Sequence, residues 1–198
     1  MRLTNRAGRR VAAVLSVVLL LSASLLAAQA TPSTRQAVGD FKIFLPQIVQ
    51  LRPPLRIDSA ASTSYTDTSG NVWQADSGFI DGQSGNLGNI TIANTSDPRI
   101  YQTERFKLTG YAFAVANGTY TVRLHFAENF YTAPGQRVFS VNVEGTPINN
   151  LDVFAEAGAA HTALIKTANV TVTDSQLNLG FTAAVGETMI DGIEVIPQ

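Results

Sequence analysis

The sequence has no cysteine, only two histidines, two methionines and one tryptophan, and a charged fraction of 15%. Without cysteine it can form no disulfide, no thiol nucleophile and no cysteine-ligated zinc site. The histidines form no His-x-x-x-His pair, and the sequence contains neither a nucleophile elbow nor a phosphate-binding loop. These absences exclude thiol and redox chemistry, and they leave the hydrophobic core alone to hold the chain together.

Basic charge is sparse beyond the N-terminus. The chain has 14 Lys and Arg against 15 Asp and Glu, and four of the arginines lie within the first ten residues. After residue 30 the balance is 10 basic against 15 acidic side chains, a net charge of about −5. An acidic chain without a basic run is not suited to nucleic acid or to an anionic membrane surface, so neither is expected as a partner.

The first thirty residues are typical of a secretory signal peptide. A basic stretch precedes an apolar run from Val11 to Ala28, and Ala28-Gln29-Ala30 has the pattern of a cleavage site. The apolar run is also long enough to remain as a membrane anchor, which is the alternative interpretation. We predict a signal peptide over residues 1–30 and export to the medium or cell surface, with no membrane insertion after cleavage.

The rest of the chain is predicted to be a linker followed by one domain. Residues 31–54 contain four prolines and no sustained periodicity, which is typical of a linker. Residues 55–198 show no apolar stripe of helical period, so only strands and turns are expected there. The predicted strands are Arg56–Ile57, Gly88–Ala93, Arg105–Leu108, Ala112–Val115, Thr119–Ala127, Arg137–Val143, Thr162–Val172, Leu177–Phe181 and Met189–Ile196.

Many short strands separated by turn signals indicate an all-β, antiparallel β-sandwich. The stretch from Thr66 to Asn89 is rich in Gly, Asp, Ser and Asn and is predicted to be a long loop. Long loops in compact domains often carry function. The three acids of this loop, Asp67, Asp76 and Asp81, leave a structural calcium ion as an alternative, although they lack an EF-hand pattern. No other cofactor is expected.

The stretch from Thr119 to Tyr131 points most directly to a binding function. Apolar and polar residues alternate over Thr119–Ala127, as they do in a half-buried strand. Two adjacent aromatics, Phe130 and Tyr131, follow where the strand would give way to a loop. Aromatic rings on such a loop form a stacking surface for the apolar C–H faces of a sugar ring, whose hydroxyls need a few placed polar partners.

A series of motifs in this order resembles the malectin domain family. The motifs are Ile57-Asp58-Ser59-Ala60, Trp73-Gln74-Ala75-Asp76, Tyr101–Arg105, Asn117–Tyr120, Leu124–Glu128, Gly135–Phe139 and Ile190–Val195. The resemblance covers roughly Leu55 to Pro197. It implies a jelly-roll-like, antiparallel β-sandwich whose ligand pocket is built from loops at one end, and a non-catalytic module that binds an oligosaccharide or polysaccharide of glucan or other type.

The resemblance also implies which residues bind the sugar. Tyr101 matches a tyrosine that lines the family's site, and Phe130-Tyr131 matches its aromatic pair in reversed order. Glu187 lies near the position of the family's acidic residue and is the expected polar anchor, with Asp191 as the alternative, since a carboxylate accepts hydroxyl hydrogen bonds well. The predicted carbohydrate-binding residues are therefore Tyr101, Phe130, Tyr131 and Glu187.

Two other functions remain open from the sequence. The domain could be a structural or adhesion scaffold that contacts a cell-surface protein, because a fold alone does not establish sugar binding. A glycoside hydrolase would need two carboxyl groups roughly 5–10 Å apart, for which Glu128 and Glu187 are the candidates. The sequence further predicts that Glu128 pairs with Arg137 across the base of the aromatic loop and that His125 is a structural histidine.

Overall fold

The computed structural model describes residues 52–198, so the predicted signal peptide and all but the last three residues of the predicted linker lie outside it. The strands are β1 (Leu55–Asp58), β2 (Tyr65–Thr66), β3 (Val72–Trp73), β4 (Phe79–Ile80), β5 (Gln83–Asn86), β6 (Thr103–Phe106), β7 (Gly110–Ala114), β8 (Gly118–Phe126), β9 (Val138–Val143), β10 (Thr146–Leu151), β11 (Leu164–Val172), β12 (Gln176–Val185), β13 (Met189–Ile190) and β14 (Gly192–Pro197). A 3₁₀ turn covers Arg99–Tyr101, and one short helix, α1, covers Val153–Ala157. Within these residues no helix has the length and apolar character needed to cross a membrane.

Two antiparallel sheets form the sandwich. One has four strands in the order β1-β14-β8-β11, and the other has five in the order β10-β9-β12-β7-β4. Two smaller sheets, β13-β6-β5 and β2-β3, complete the fold. The predicted jelly-roll-like antiparallel β-sandwich is therefore confirmed.

Alternation along β8 explains how the main core forms. Tyr120, Val122, Leu124 and Phe126 are at most 3% exposed, and they pack with the inward-facing residues of β9 and β12 in one cluster. Side chains of successive residues point to opposite faces of a strand, so Thr121, Arg123 and His125 lie on the outer face. Burying one apolar face of each sheet against the other is the main source of stability in such a sandwich.

A second, smaller core covers the outer face of the four-stranded sheet at one end. It contains Trp73, Ile92, Ile100, Tyr101, Ala127 and Ala163. Trp73 packs edge-on against His125, with ring centroids 5.3 Å apart, which buries a histidine that the alternation alone would leave near solvent. The segment between β1 and β6 is therefore fixed over the sheet at the end where β8 is followed by the loop of Phe130 and Tyr131.

Several details differ from the sequence prediction, which also lacked β2 and β10. The predicted loop Thr66–Asn89 contains β3, which pairs locally with β2, and β4 and β5, which pair with the distant β7 and β6. The predicted strand Gly88–Ala93 forms only one isolated bridge, Ala93 with Thr162. The expectation of strands and turns alone was wrong because α1 is present. Its Asp152 cap accepts a hydrogen bond from the Ala155 amide at 2.9 Å, but five residues are too few to show a helical period.

Candidate functional site

The loop after β8 presents the two predicted aromatics to solvent. Phe130 is 72% exposed and Tyr131 is half-buried. Their ring centroids are 5.0 Å apart and their planes are at 89°. The rings therefore meet edge to face, and the exposed Phe130 ring is available as a stacking surface for an apolar ligand face.

The buried Glu128 anchors this loop to the domain. Its side chain is 1% exposed, and Oε1 accepts hydrogen bonds from the amides of Phe130 at 3.0 Å and Tyr131 at 2.9 Å. The Oε2 atom lies 2.8 Å from Nε of Arg137, as a close ion pair without hydrogen-bond alignment. The predicted pairing of Glu128 with Arg137 is confirmed, and the Arg137 guanidinium carbon also lies 5.0 Å from the Tyr131 ring centroid.

Further buried carboxyl groups lie beneath the loop that carries Phe130 and Tyr131. Glu104 and Asp191 are 7% and 0% exposed. Burial raises the pKa of Asp191 well above its usual value, and the nearby charge of Glu104 raises it further. Burial likewise raises the pKa of Glu104, against the opposing charge of Arg137. Desolvation thus favours protonated carboxyl groups under the loop, because a single guanidinium cannot neutralise all of them.

Glu187 lies beside the aromatic loop. Gly186 is held close to it, since a Cβ placed there would come within 3.5 Å of the Tyr131 hydroxyl and 2.7 Å of the Gln136 carbonyl oxygen. The positive φ of Gly186, 67°, also favours glycine. The structure thus brings three predicted residues, Phe130, Tyr131 and Glu187, to one side of the domain.

Two residues that the sequence analysis missed join this side. Nζ of Lys107 lies 3.2 Å from Oε1 of Glu187 and 5.7 Å from the ring centroid of Phe106. The Lys107 amide donates to the carbonyl of Thr188 at 2.9 Å, so the two chain segments run alongside each other. We call Phe106, Lys107, Phe130, Tyr131 and Glu187 the aromatic face. Only the non-local pairing of β6 with β13 brings Phe106 and Lys107 there, and no local sequence signal marks them.

The structure does not bring the side chain of Tyr101 to the aromatic face. Its ring is 2% exposed, and its hydroxyl lies 2.9 Å from Nδ1 of His125. Nε2 of His125 in turn lies 3.1 Å from Oε1 of Glu194, so the prediction of a structural histidine is confirmed. The backbone of Tyr101 does support the loop, because its carbonyl accepts a hydrogen bond from Nδ2 of Asn129 at 3.1 Å.

The acids proposed for calcium serve separate local roles. Asp67 accepts from the Trp73 indole, Asp76 pairs with Arg105 at 2.6 Å, and Asp81 accepts from the Thr109 amide and hydroxyl. Across residues 52–198 no three or more acidic or histidine side chains are grouped as a metal site would need. The carboxylates of this segment therefore fix turns and strands.

Comparison with known proteins agrees with this fold. The malectin domain profile matches residues 55–196. The chain belongs to the malectin domain family. The match begins at the first residue of β1 and ends within β14, so the family fold accounts for nearly the whole described structure.

Similar sequences occur in longer proteins. A probable LRR receptor-like serine/threonine-protein kinase of Arabidopsis thaliana is 34% identical over 113 residues, which are 52% of this chain and 11% of the kinase. Malectin-B of Xenopus laevis is 33% identical over 82 residues, which are 38% of this chain and 30% of that protein. Human malectin is 33% identical over 82 residues. The chain thus matches under a third of the length of each of these relatives.

Solved structures share the sandwich. Bacteroides uniformis β-glucuronidase superposes with a TM-score of 0.67 and 23% identity, over 74% of this chain and 18% of that chain. The ANXUR2 extracellular domain of Arabidopsis thaliana gives a TM-score of 0.63 and 19% identity, over 71% of this chain and 47% of that chain. At these identities the likeness shows the fold alone.

Proposed function

We propose that this malectin domain is an exported, non-catalytic carbohydrate-binding module and that the aromatic face is its sugar site. The observation that carries the proposal is the exposed Phe130 ring beside Tyr131, with Glu187 directly after Gly186, whose backbone lies close to the Tyr131 hydroxyl. A stacking ring and an accessible carboxylate are the two elements that sugar recognition needs, one for the C–H face and one for the hydroxyls.

The chemistry assigns a role to four of the five residues of the aromatic face. Phe130 stacks on the apolar face of a pyranose ring, and Tyr131 offers its ring edge and hydroxyl. The side chain of Glu187 is 33% exposed and accepts hydroxyl hydrogen bonds, while Lys107 holds that carboxylate and donates to the sugar. We assign Tyr101 a supporting role through its carbonyl bond to Asn129, behind the loop.

The ligand class that fits this face is a short glucan or another oligosaccharide. The face is shallow and exposes few rings, so we expect a Kd on the order of micromolar to millimolar. Several copies held on a surface, or a tethered partner domain, would raise the effective affinity.

The buried position of Glu128 supports a non-catalytic role. A hydrolase needs one carboxyl group free to donate a proton and a second free to act on the sugar or on water. One oxygen of Glu128 accepts hydrogen bonds from two loop amides, and the other lies in a close ion pair with Arg137. The Glu128–Glu187 pair is therefore better explained as a loop anchor and a ligand contact.

A protein-binding scaffold at the cell surface is the second candidate. The observation that favours it is the matching of this domain to a segment of an LRR receptor-like kinase. In that case the exposed apolar side chains, including Val72, Phe79, Ile80 and Phe130, would contact a protein partner.

The test is an NMR titration of the purified protein with maltose, nigerose and a mixed oligosaccharide set. We expect saturable shifts at Phe130, Tyr131 and Glu187 that disappear in Tyr131→Ala. A control variant, Ile165→Ala, removes an exposed side chain from β11 and should leave the shifts unchanged. Absence of shifts at millimolar sugar, or shifts that survive Tyr131→Ala, would contradict the proposal and favour the scaffold.

A further inference from the structure

A second concave site lies outside the aromatic face. It is a polar pocket of about 260 Å³ between the segment that follows β1 and the start of β6. The residues that matter here are Asp58, Asn86, Arg99, Gln102 and Thr103. None of them belongs to the aromatic face, so the pocket needs its own explanation.

The pairing of β5 with β6 separates the two sites. Asn86 pairs with Thr103 at the pocket end of the sheet, and Gln83 pairs with Phe106 at the other end. A rise of about 3.3 Å per residue puts the ends of β6 on the order of 10 Å apart. Side chains three residues apart on a strand also point to opposite faces, so one sugar ring cannot occupy both sites.

Asp58 supplies an unused acceptor in this pocket. The residue is 1% exposed, and its Oδ1 accepts a hydrogen bond from the Thr103 hydroxyl at 3.0 Å. Its Oδ2 has no hydrogen-bond partner within residues 52–198, yet it is not among the fully enclosed polar atoms. Since Asp58 lines the pocket, this oxygen is the part of the side chain that opens into it.

The backbone holds Asp58 in this position. Its amide donates to the carbonyl of Gln74 at 3.0 Å, and the next amide, of Ser59, donates to the carbonyl of Asp191 at 2.8 Å. Burial raises the pKa of the Asp58 carboxyl group to about 7; among the surrounding charges Arg99 favours its ionised form, while Asp76 and Asp97 oppose it. A buried carboxyl group with one free acceptor gains stability when a ligand supplies the missing donor.

We propose that this pocket is a second, independent binding site for a small polyhydroxylated ligand of about one sugar ring, with Oδ2 of Asp58 accepting a ligand hydroxyl. The volume is below the roughly 300–1,000 Å³ of pockets for drug-sized ligands, which suits a single ring. The exposed guanidinium of Arg99 is steadied over the Tyr65 ring at 4.3 Å and offers donors at the rim.

A divalent cation fits this pocket less well. Calcium takes about 6–8 oxygen ligands, and Asp58 is the only acidic residue among those that line the pocket. The positive charge of Arg99 acts on the same carboxyl group and would repel a second cation. A neutral ligand with hydroxyl groups meets no such repulsion.

The experiment is an NMR titration of the full chain with methyl α-D-glucopyranoside and methyl β-D-galactopyranoside, with calcium chloride as a parallel titrant. We expect saturable shifts at the amides of Asp58, Arg99 and Thr103 with at least one glycoside, and no saturation with calcium. Asp58→Asn keeps the shape of the side chain but replaces the free acceptor, so affinity should fall about tenfold.

Paired variants separate this site from the aromatic face. Tyr131→Ala should leave the shifts at Asp58 and Thr103 intact, and Asp58→Asn should leave any shifts at Phe130 intact. Arg99→Gln changes an exposed side chain and should weaken the same binding even if Asp58→Asn fails to fold. No shift near Asp58 with either glycoside, unchanged affinity in the variants, or saturation by calcium alone would each overturn the proposal.

Discussion

The sandwich contains two buried clusters of ionisable side chains, one with more acidic than basic groups and one with more basic than acidic groups. Beneath the aromatic face, Glu104, Glu128 and Asp191 share the positive charge of Arg137. Several atoms there, including Nη1 of Arg137 and Oδ1 of Asp191, are enclosed without a hydrogen-bond partner in the part of the chain described. This cluster has more acid than base, and its hydrogen bonding is incomplete.

The second cluster, on the outer face of the four-stranded sheet, has more basic than acidic groups. Glu194 is contacted by Arg56 at 2.9 Å, His125 at 3.1 Å and Arg123 at 3.3 Å. Burial acts against its ionisation, yet the hydrogen bond and charge of His125, with Arg123 and Arg56, hold the pKa of Glu194 below its ordinary value. One carboxylate here has several basic partners, and its acceptors are occupied.

The two clusters therefore differ in what they cost the folded state. A carboxylate with a full set of partners is held as the ion, whereas a buried acid-rich group with incomplete hydrogen bonding carries an uncompensated desolvation cost. The acid-rich cluster lies under the loop of the aromatic face, where Glu128 sets the backbone that carries Phe130 and Tyr131. We therefore expect changes to the two clusters to have unequal effects.

Removing the guanidinium of the acid-rich cluster should have the largest effect. Arg137→Met leaves buried carboxyl groups without their counter-charge, so the free energy of unfolding should fall by about 3–5 kcal/mol. Urea unfolding measures it. The matched control is Arg123→Met, whose side chain is 41% exposed and whose loss should cost at most about 1 kcal/mol. Equal losses in the two variants would contradict the comparison.

The two clusters should also respond to pH with opposite signs. Because the pKa of Asp191 is raised in the folded state, its contribution to stability is present at low pH and is lost as pH rises above the unfolded value of about 3.9. Because the pKa of Glu194 is lowered, its contribution is present above the unfolded value of about 4.3 and is lost as pH falls through the folded value. In Asp191→Asn the free energy of unfolding should therefore decline less toward high pH, and in Glu194→Gln it should decline less toward low pH.

Urea midpoints measured from pH 3 to pH 8 provide the check. Asp58, whose pKa burial raises to about 7, contributes a decline of the same sign as Asp191, so each variant is compared with wild type at every pH. If Asp191→Asn and Glu194→Gln change the profile in the same direction, the opposite balance of the clusters is wrong.

Local patterns in the sequence predict the core of this fold well. The alternation over Thr119–Ala127 corresponds to β8, Gly118–Phe126, and the predicted strand Arg137–Val143 corresponds to β9, Val138–Val143. Both are long strands with one fully buried face, where the apolar period of two is strongest. The strands β3 to β5 have at most four residues each, too few to show a pattern of their own, and β4 and β5 form only by pairing with the distant β7 and β6.

The site was predictable only in part, for the same reason. Adjacent aromatics after a strand revealed Phe130 and Tyr131, because a local pattern marks them. Burial of Tyr101 depends on His125, 24 residues further along the chain, and the position of Lys107 depends on Glu187, 80 residues away. Contacts at such separations leave no periodic trace in the sequence, so neither the buried tyrosine nor the lysine could be placed from it.

Truncating the exposed Phe130 ring should weaken oligosaccharide binding without changing the stability that the two buried clusters provide. Phe130→Ala removes a side chain that is 72% exposed, so stability should change by no more than about 0.5 kcal/mol. Oligosaccharide affinity should fall about tenfold, because one stacking partner is lost. Titration calorimetry alongside urea unfolding separates the two effects. A large loss of stability would mean that Phe130 seals the end of the core instead.

The smallest effect on stability is expected at the rim of the aromatic face. The pair of Lys107 and Glu187 is 3.2 Å long, with side chains 50% and 33% exposed, so solvent screens most of its attraction. Lys107→Met should therefore change the free energy of unfolding by at most about 1 kcal/mol. Sugar affinity should still fall, by less than in Phe130→Ala, because the lysine orients the Glu187 carboxylate. Lys166→Met breaks the comparable surface pair with Glu156 and serves as the control, since it should leave both quantities nearly unchanged. If both lysine variants weaken sugar binding equally, general charge rather than the geometry of the aromatic face governs the affinity.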